Sequence, residues 1–205
     1  MSTDKMILYY NPMSRGRTVH WMLEEVNASY ETKLLKWETN DQKSLEYLKL
    51  NPMGKIPTFV HNDIVITEVP AIIAYLADIF PAAGLAPALQ SPERGAYYRW
   101  LFFAAANIEP AMFDLKHPRA NSPSSGQLGH GNTHDVVNTL DQTLSKGYLC
   151  GDRFSAADLF MAASVHWWLF TKVLEARPAF EKYVALCQDR PAFRSHMTKT
   201  GSFRG

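Results

Sequence analysis

The stretch NPMSRGR near the start of the chain carries a hydroxyl at a position that suits sulfur chemistry. It joins a β-rich run, Met6–Tyr10, to residues with helical spacing, so Ser14 falls where a helix N-cap would sit. Capping is one interpretation of this serine. The other is chemical, because a hydroxyl and N–H groups at a helix N-terminus stabilise a thiolate. Tyr9 and Tyr10 are rivals for the same hydrogen bond.

The stretch NPMGKIPTF combines a turn with a proline at the start of a strand. Proline cannot donate to a sheet ladder, so Pro57 must lie at an edge, a bulge or a strand start. An ordinary trans proline at an edge is one possibility. A cis bond is the other, and it would turn the Ile56 backbone outward, where its N–H and C=O can pair with an extended, peptide-like ligand.

The stretch ITEVPAIIAYLAD predicts a helix that starts without a side-chain cap. Pro70 suits the first helical position, but Val69 before it offers no oxygen to the N–H groups that follow. Glu68 places a carboxylate just outside the first turn. An open helix N-terminus of this kind favours a bound anion.

Other polar residues fit structural roles. Ser155 and Asp158 form a capping-box pattern ahead of an apolar helix, which we assign to folding. The histidines His117, His130 and His134 lie in or beside a polar segment, without the cysteines or carboxylates that would complete a metal site. We therefore predict no metal.

The order of predicted elements indicates two domains. Within about 80 residues the pattern runs β-α-β-α-β-β-α, with His61-Asn62-Asp63 as a turn between the last two strands. This is a thioredoxin-like order for a mixed sheet covered by helices. The linker FPAAGLAPALQSP follows, and only helical patterns appear after it. The expected fold is therefore α/β plus all-α, with domains at 1–80 and 92–205.

The second domain is expected to be a helical bundle with one long polar loop, HPRANSPSSGQLGHGN, between its first two helices. The periodicity predicts helices at Glu93–Leu115, Thr133–Lys146, Ala156–Phe170, Ala179–Arg190 and Ala192–Lys199.

Composition narrows the classes of partner. The 205 residues carry a formal net charge of +1 and no polybasic block, so neither nucleic acid nor an anionic membrane surface is an expected partner. No apolar run reaches transmembrane length and no signal-peptide pattern is present, so a cytoplasmic location is expected. Cys150 and Cys187 are far apart, which indicates buried thiols rather than a disulfide or dithiol motif.

Taken together, NPMSRGRTVHWMLEE, LNPMGKIPTF and ITEVPAIIAYLAD resemble the glutathione S-transferase family, and RFSAADLFMA with DRPAFRSH resembles its helical domain in bacterial members. The resemblance covers nearly the whole chain. It implies a glutathione-binding thioredoxin-like domain, a helical domain that forms most of the site for a small hydrophobic electrophile, and a homodimer. Glutathione would act as co-substrate.

The resemblance also implies roles for single residues. Ser14 aligns with the hydroxyl that activates the thiol, and Ile56 before Pro57 would pair with the cysteinyl part of glutathione. Glu68 would face the γ-glutamyl ammonium. Val69 replaces the family's serine, so one contact to the γ-glutamyl carboxylate is missing.

The remaining assignments are looser. Lys55, and with it Lys43, would meet the glycyl carboxylate. Met13 and Arg15 are close enough to Ser14 for a shift of register. The side chains expected along the electrophile site are Tyr10, Phe103, Asn107 and Phe113, with Arg99 on the same helix.

Three functions remain open from the sequence. The first is conjugation of glutathione to electrophiles, the second a glutathione-dependent disulfide reductase or peroxidase, and the third a non-catalytic binding protein that keeps the fold.

Overall fold

The computed structural model describes residues 4–202 of the chain. These residues form two compact units: unit 1 contains residues 4–83 and 190–202, and unit 2 contains residues 84–189. The helices and strands, in chain order, are β1 Met6–Tyr10, α1 Gly16–Glu25, β2 Glu31–Leu34, α2 Leu45–Leu50, β3 Thr58–His61, β4 Ile64–Thr67, α3 Val69–Ile79, α4 Glu93–Phe103, α5 Glu109–Lys116, α6 Thr133–Leu144, α7 Ala156–Phe170, α8 Pro178–Gln188 and α9 Pro191–Thr200.

Unit 1 is built on a four-stranded mixed sheet with the order β2-β1-β3-β4. Strands β1 and β2 are parallel because α1 connects them as a crossover, whereas β1 with β3 and β3 with β4 are antiparallel. This topology confirms the thioredoxin-like order. Leu8 and Phe59 in the sheet, Met22 in α1 and Ile72 in α3 are fully buried and form the core between the layers.

The connection from β1 to α1 requires a glycine. A Cβ at Gly16 would lie 2.6 Å from the Tyr10 Cβ and 3.0 Å from the Ser14 hydroxyl oxygen, so only glycine lets the helix start this close to the end of the strand. The loop that contains Ser14 is therefore held against the sheet edge.

The C-terminal helix α9 packs on α1 within unit 1. Rings of Trp21 and Phe193 meet with centroids 4.8 Å apart. Arg190 donates to both carboxylate oxygens of the buried Glu25, at 2.7 and 2.8 Å. The buried Arg17 donates to the Gly201 carbonyl at 2.7 Å. The sequence placed residues 191–200 in the helical domain, because a helical pattern does not reveal which surface it covers. Residues 1–3 and 203–205 of the two predicted domains lie outside the described residues.

Two histidines are buried where α1 meets α9. The Nδ1 atoms of His20 and His196 are 3.1 Å apart, and both side chains are almost fully buried. Burial lowers the pKa of His20 to about 4 and that of His196 to about 3, with the carboxylate of Glu24 opposing both shifts and the cation of Arg17 adding to them. Both rings are therefore neutral at physiological pH.

Unit 2 is helical, and α7 is its most deeply buried helix. The predicted capping box is confirmed: the Ser155 hydroxyl accepts from the Asp158 N–H, and the Asp158 carboxylate accepts from the Ser155 N–H. The same carboxylate accepts from the Leu149 N–H at 2.8 Å and the Tyr183 hydroxyl at 2.8 Å. Its burial raises the pKa of Asp158 against the effect of these donors. The predicted folding role for this residue is consistent with the network.

The first long helix of unit 2 is interrupted, which the sequence did not predict. The expected span Glu93–Leu115 is present as α4 and α5, but Ala104–Ile108 between them has the wider π-helical geometry. Pro110 lies two residues after this turn. Its ring would clash with the carbonyl four residues earlier in a regular α-helix, and a π turn relieves this crowding.

Candidate functional site

Three segments of unit 1 meet at one edge of the sheet. Tyr9 pairs with Thr58, and Thr58 pairs with Thr67. The end of β1, the start of β3 and the end of β4 therefore lie side by side. The residues that continue from these strands are the loop 11–15, the Ile56-Pro57 pair and the Glu68-Val69 pair. The structure thus brings the three motifs of the sequence together.

Ser14 is half-buried in the loop after β1 and has two local hydrogen bonds. Its hydroxyl donates to the Asn11 carbonyl at 2.7 Å and accepts from the Gly16 N–H at 3.0 Å. The Asn11 carbonyl also accepts from the Ser14 N–H at 3.1 Å. The N-cap of α1 is Arg15 rather than Ser14, which corrects the prediction by one residue: Ser14 closes the turn before the cap.

The two tyrosines that rival Ser14 point to opposite faces of β1, as successive strand residues must. Tyr10 is buried in the core of unit 1, with its ring centroid 5.7 Å from that of His20. Burial raises the pKa of Tyr10, with Arg17 opposing the shift. Tyr9 is partly exposed and its ring packs 5.9 Å from that of Tyr47. The burial of Tyr10 does not match the place along the electrophile site that was expected for it from the sequence.

The Ile56-Pro57 peptide bond is cis, which decides between the two possibilities that the sequence left open. Among the described residues, neither the N–H nor the C=O of Ile56 has a hydrogen-bond partner. Lys55 before it has an exposed side chain. The Lys43 ammonium donates to the Met53 carbonyl at 2.9 Å.

Sequence reasoning missed two residues that hold this segment. The Tyr47 hydroxyl and the Asn51 side-chain amide both donate to the Lys55 carbonyl, at 2.7 and 2.8 Å. Asn51 belongs to the NPMGKIPTF stretch, where its side-chain oxygen also accepts from the Met53 N–H at 3.1 Å. The Asn-Pro turn could have indicated the role of Asn51. Tyr47 has no such signal, because it occupies an ordinary apolar position of a predicted helix.

Helix α3 begins one residue earlier than predicted. Its N-cap is Glu68, which has no side-chain capping bond, and Val69 is the first helical residue, nearly buried. Glu68 has a φ of 66°, a region that residues other than glycine, asparagine and aspartate seldom adopt. This conformation turns the chain into the helix and leaves the Glu68 side chain exposed. Among residues 4–202, the N–H groups of Val69 and Ala71 have no partner.

The candidate residues in unit 2 lie along one helical stretch. Phe103 ends α4, with its ring 5.4 Å from that of Trp100. Asn107 lies in the π turn and is half-buried. Phe113 is 44% exposed, and its ring meets that of Trp168 edge to face at 5.4 Å. Part of each aromatic ring is therefore available at the surface of unit 2.

The cysteines and histidines of unit 2 do not form a reactive centre. Burial raises the pKa of the Cys150 thiol to about 11, so it stays protonated at neutral pH. His130 pairs with Asp114 at 3.0 Å, whereas His134 is exposed on α6. Within the described ranges of the chain, no three His, Cys, Asp or Glu side chains are arranged to hold a metal ion. In the same residues, no helix has the length and apolar character that crossing a membrane requires.

Comparison with protein families gives two separate matches. The model described as "Glutathione S-transferase, N-terminal domain" matches residues 4–78, and the one described as "Glutathione S-transferase, C-terminal domain" matches residues 124–199. The chain is 30% identical over 172 residues to glutathione S-transferase 1 of Dianthus caryophyllus, a match that covers 80% of this chain and 77% of the relative. It is 29% identical over 168 residues to glutathione S-transferase 1 of Schizosaccharomyces pombe, covering 77% and 72%.

Solved structures share the fold over nearly the whole chain. A glutathione transferase from Methylococcus capsulatus superposes with a TM-score of 0.78 at 28% identity, covering 96% of this chain and 98% of that one. The glutathione transferase URE2P6 from Phanerochaete chrysosporium, solved in complex with oxidized glutathione, gives a TM-score of 0.79 at 26% identity and covers 98% of each chain.

Proposed function

The chain belongs to the glutathione S-transferase family, and we propose that it binds glutathione at the sheet edge of unit 1 and transfers the thiolate to small hydrophobic electrophiles. The observation that carries the proposal is the Ile56 backbone, whose N–H and C=O have no partner within residues 4–202 and lie at the edge where the Ser14 loop and the start of α3 meet. An extended peptide satisfies such a pair as an added strand does.

The donor set fits the three charged or polar ends of glutathione. The Ile56 backbone would pair with the cysteinyl residue. The exposed Glu68 carboxylate would meet the γ-glutamyl ammonium, and the N–H groups of Val69 and Ala71 would donate to the γ-glutamyl carboxylate. Lys55, with its exposed ammonium, would meet the glycyl carboxylate. Val69 lacks the hydroxyl that the family places there, so glutathione is held by fewer bonds.

Ser14 would activate the thiol by donating a hydrogen bond to the sulfur. In the structure the hydroxyl hydrogen points to the Asn11 carbonyl. When the hydroxyl rotates toward the sulfur, this carbonyl still accepts a hydrogen bond from the Ser14 N–H. The Gly16 N–H stays on the hydroxyl oxygen and polarises it, which strengthens the O–H as a donor. The rotation therefore leaves no buried group unpaired, and the thiolate gains a charge-assisted hydrogen bond.

The reaction needs no protein thiol, in agreement with the raised pKa of Cys150. The thiolate sulfur forms a bond to an electrophilic carbon. In a substitution, the displaced electron pair departs with the leaving group. In an addition, it takes up a proton from solvent. Holding both reactants together supplies the main rate advantage.

The electrophile would contact Phe103, Asn107 and Phe113 of unit 2. This assignment is supported by the partial exposure of these side chains along one helical stretch. The burial of Tyr10 instead favours a core role for that residue.

Homodimerisation is proposed from family membership. Exposed aromatic side chains on α4, Phe102 at 67% and Tyr98 at 40%, supply apolar surface that a second copy can cover. Sedimentation of the full chain measures its mass directly, and a monomer at every concentration would contradict this part of the proposal.

Calorimetry with glutathione, followed by assays with a panel of electrophiles, tests the proposed function. Binding with conjugation supports it, whereas an absence of binding at millimolar glutathione contradicts it. A second candidate is a non-catalytic binding protein that keeps the fold, which Val69 in place of a serine favours because it removes one contact to glutathione. Mixed disulfides and hydroperoxides belong in the same panel, because faster reduction than conjugation would identify a glutathione-dependent reductase or peroxidase.

A further inference from the structure

A buried polar cluster lies directly behind the Ile56 backbone. The Lys55 carbonyl accepts from the Tyr47 hydroxyl at 2.7 Å and from the Asn51 amide at 2.8 Å. The Tyr47 oxygen is also 2.7 Å from the Thr58 hydroxyl oxygen. Tyr47 is 3% exposed, Asn51 is 4% exposed and Thr58 is fully buried. One hydrogen bond would satisfy the Lys55 carbonyl. Two buried side-chain donors also fix its orientation.

The direction of each hydrogen bond in the cluster follows from proton counting. The single phenol hydrogen of Tyr47 goes to the Lys55 carbonyl, which can only accept. Thr58 must therefore donate to the Tyr47 oxygen. A hydroxyl that accepts a hydrogen bond becomes a stronger donor, so the chain from Thr58 through Tyr47 reinforces the bond to Lys55. Burial raises the pKa of Tyr47, which keeps the phenol protonated as a donor.

The Lys55 carbonyl and the Ile56 N–H belong to one planar peptide unit. Only the Ile56-Pro57 bond is cis among the described residues, so the bond between Lys55 and Ile56 is trans and its C=O and N–H point in opposite directions. Two donors that fix the carbonyl therefore also fix the direction of the N–H, away from the cluster. Hydrogen bonds to the carbonyl also polarise the peptide and make its N–H a better donor.

We propose that Tyr47 and Asn51 are positioning residues for glutathione, which hold the Lys55-Ile56 peptide so that its N–H donates to the cysteinyl carbonyl of the ligand. This role rests on the proposed function and names residues that do not touch the ligand. It predicts that removing either donor weakens one particular hydrogen bond to glutathione rather than the whole site.

The test combines a protein change with a ligand change. Glutathione and an analogue with a trans-alkene in place of the cysteinyl–glycyl amide are titrated by calorimetry into the wild-type chain and the Tyr47→Phe variant. The analogue lacks the carbonyl that the Ile56 N–H would meet. We expect Tyr47→Phe to weaken glutathione about five- to tenfold, the equivalent of one hydrogen bond, and to leave the affinity for the analogue within about twofold.

Matched variants separate positioning from folding. Tyr30→Phe removes another part-buried phenol of unit 1, bonded to Glu24 rather than to Lys55, and should leave both affinities unchanged. Asn51→Asp keeps the acceptor for the Met53 N–H but replaces the donor to Lys55. It should reproduce the selective loss if Tyr47→Phe does not fold.

A ligand-free measurement makes the outcomes distinguishable. Tyr47→Phe should shift the NMR resonances of the Lys55 carbonyl carbon and the Ile56 amide nitrogen, whereas Tyr30→Phe should not. Equal losses for glutathione and the analogue, or no loss for either, overturn the positioning role while the proposed function stands. If the wild-type chain does not bind glutathione, the proposed function and the positioning role are both refuted. The NMR shifts then report only a structural role for Tyr47.

Discussion

Replacing Ser14 with alanine tests the mechanism at the atom proposed to activate the thiol. A hydrogen bond to a charged group contributes about 1.5 to 3 kcal/mol, and one pH unit corresponds to 1.36 kcal/mol. Removing the hydroxyl should therefore raise the pKa of bound glutathione by about 1 to 2 units. Because the hydroxyl stabilises the thiolate and not the thiol, the acid limb of the pH–rate profile should move to higher pH by the same amount.

The loss in folding stability should be small. The Asn11 carbonyl keeps the Ser14 N–H, and only the Gly16 N–H loses its acceptor. The free energy of unfolding should fall by about 1 kcal/mol, as for the loss of a helix cap. Glutathione affinity at low pH, where the thiol is protonated in both proteins, should change less than about threefold.

The assay is a pH titration of the thiolate absorbance of bound glutathione, paired with the pH dependence of kcat/KM. Ser195→Ala is the matched control, since its hydroxyl donates to Glu24 in another part of unit 1. Ser14→Thr should restore most of the effect. An unchanged titration in Ser14→Ala would refute the assignment and return Tyr9 as the candidate donor.

Further predictions concern glutathione affinity and stability. Glu68→Gln should weaken glutathione about three- to fivefold by calorimetry through loss of the ammonium partner, and an equal Kd would contradict that contact. Val69→Ser should tighten glutathione binding about fivefold by adding one hydrogen bond, and an unchanged Kd would contradict the proposed contact at this position. The neutral, buried His20 and His196 ionise near pH 6.5 when unfolded, so unfolding takes up protons. Stability in urea should fall as the pH drops from about 6.5 toward about 4, by up to about 1.4 kcal/mol per pH unit for each histidine, and His196→Phe should flatten this slope. Asp158→Ala removes the acceptor of four hydrogen bonds and should cost about 3 kcal/mol of unfolding free energy in the same assay.

Local patterns in the sequence predicted the features that depend on nearby residues. The β-rich run Met6–Tyr10 and the helix Ala156–Phe170 have the predicted bounds, because an apolar run and a capping box mark them directly. The proline at a strand start limited the bond before Pro57 to two alternatives, of which the structure has the cis form. Each of these signals lies within a few residues of the feature it predicts.

Features that depend on distant or unusual backbone geometry were missed. The start of α3 moved by one residue because Glu68 adopts a positive φ that its residue type disfavours. The π turn depends on how Pro110 is accommodated, and a helical periodicity does not distinguish a π turn from an α turn. The bond from Tyr47 to Lys55 requires α2 to fold back on the chain that follows it, which no local pattern encodes.

The packing of α9 on α1 also affects how the chain matures during synthesis. Phe193 packs on Trp21 and Arg190 pairs with Glu25, so a nascent chain ending before Arg190 exposes an aromatic ring and a carboxylate that has the Trp21 indole N–H but lacks its arginine partner. The intervening unit takes roughly 5 to 20 s to translate at about 5 to 20 residues per second. During that interval unit 1 depends on its sheet and first helices alone, and this is when a chaperone has most surface to bind.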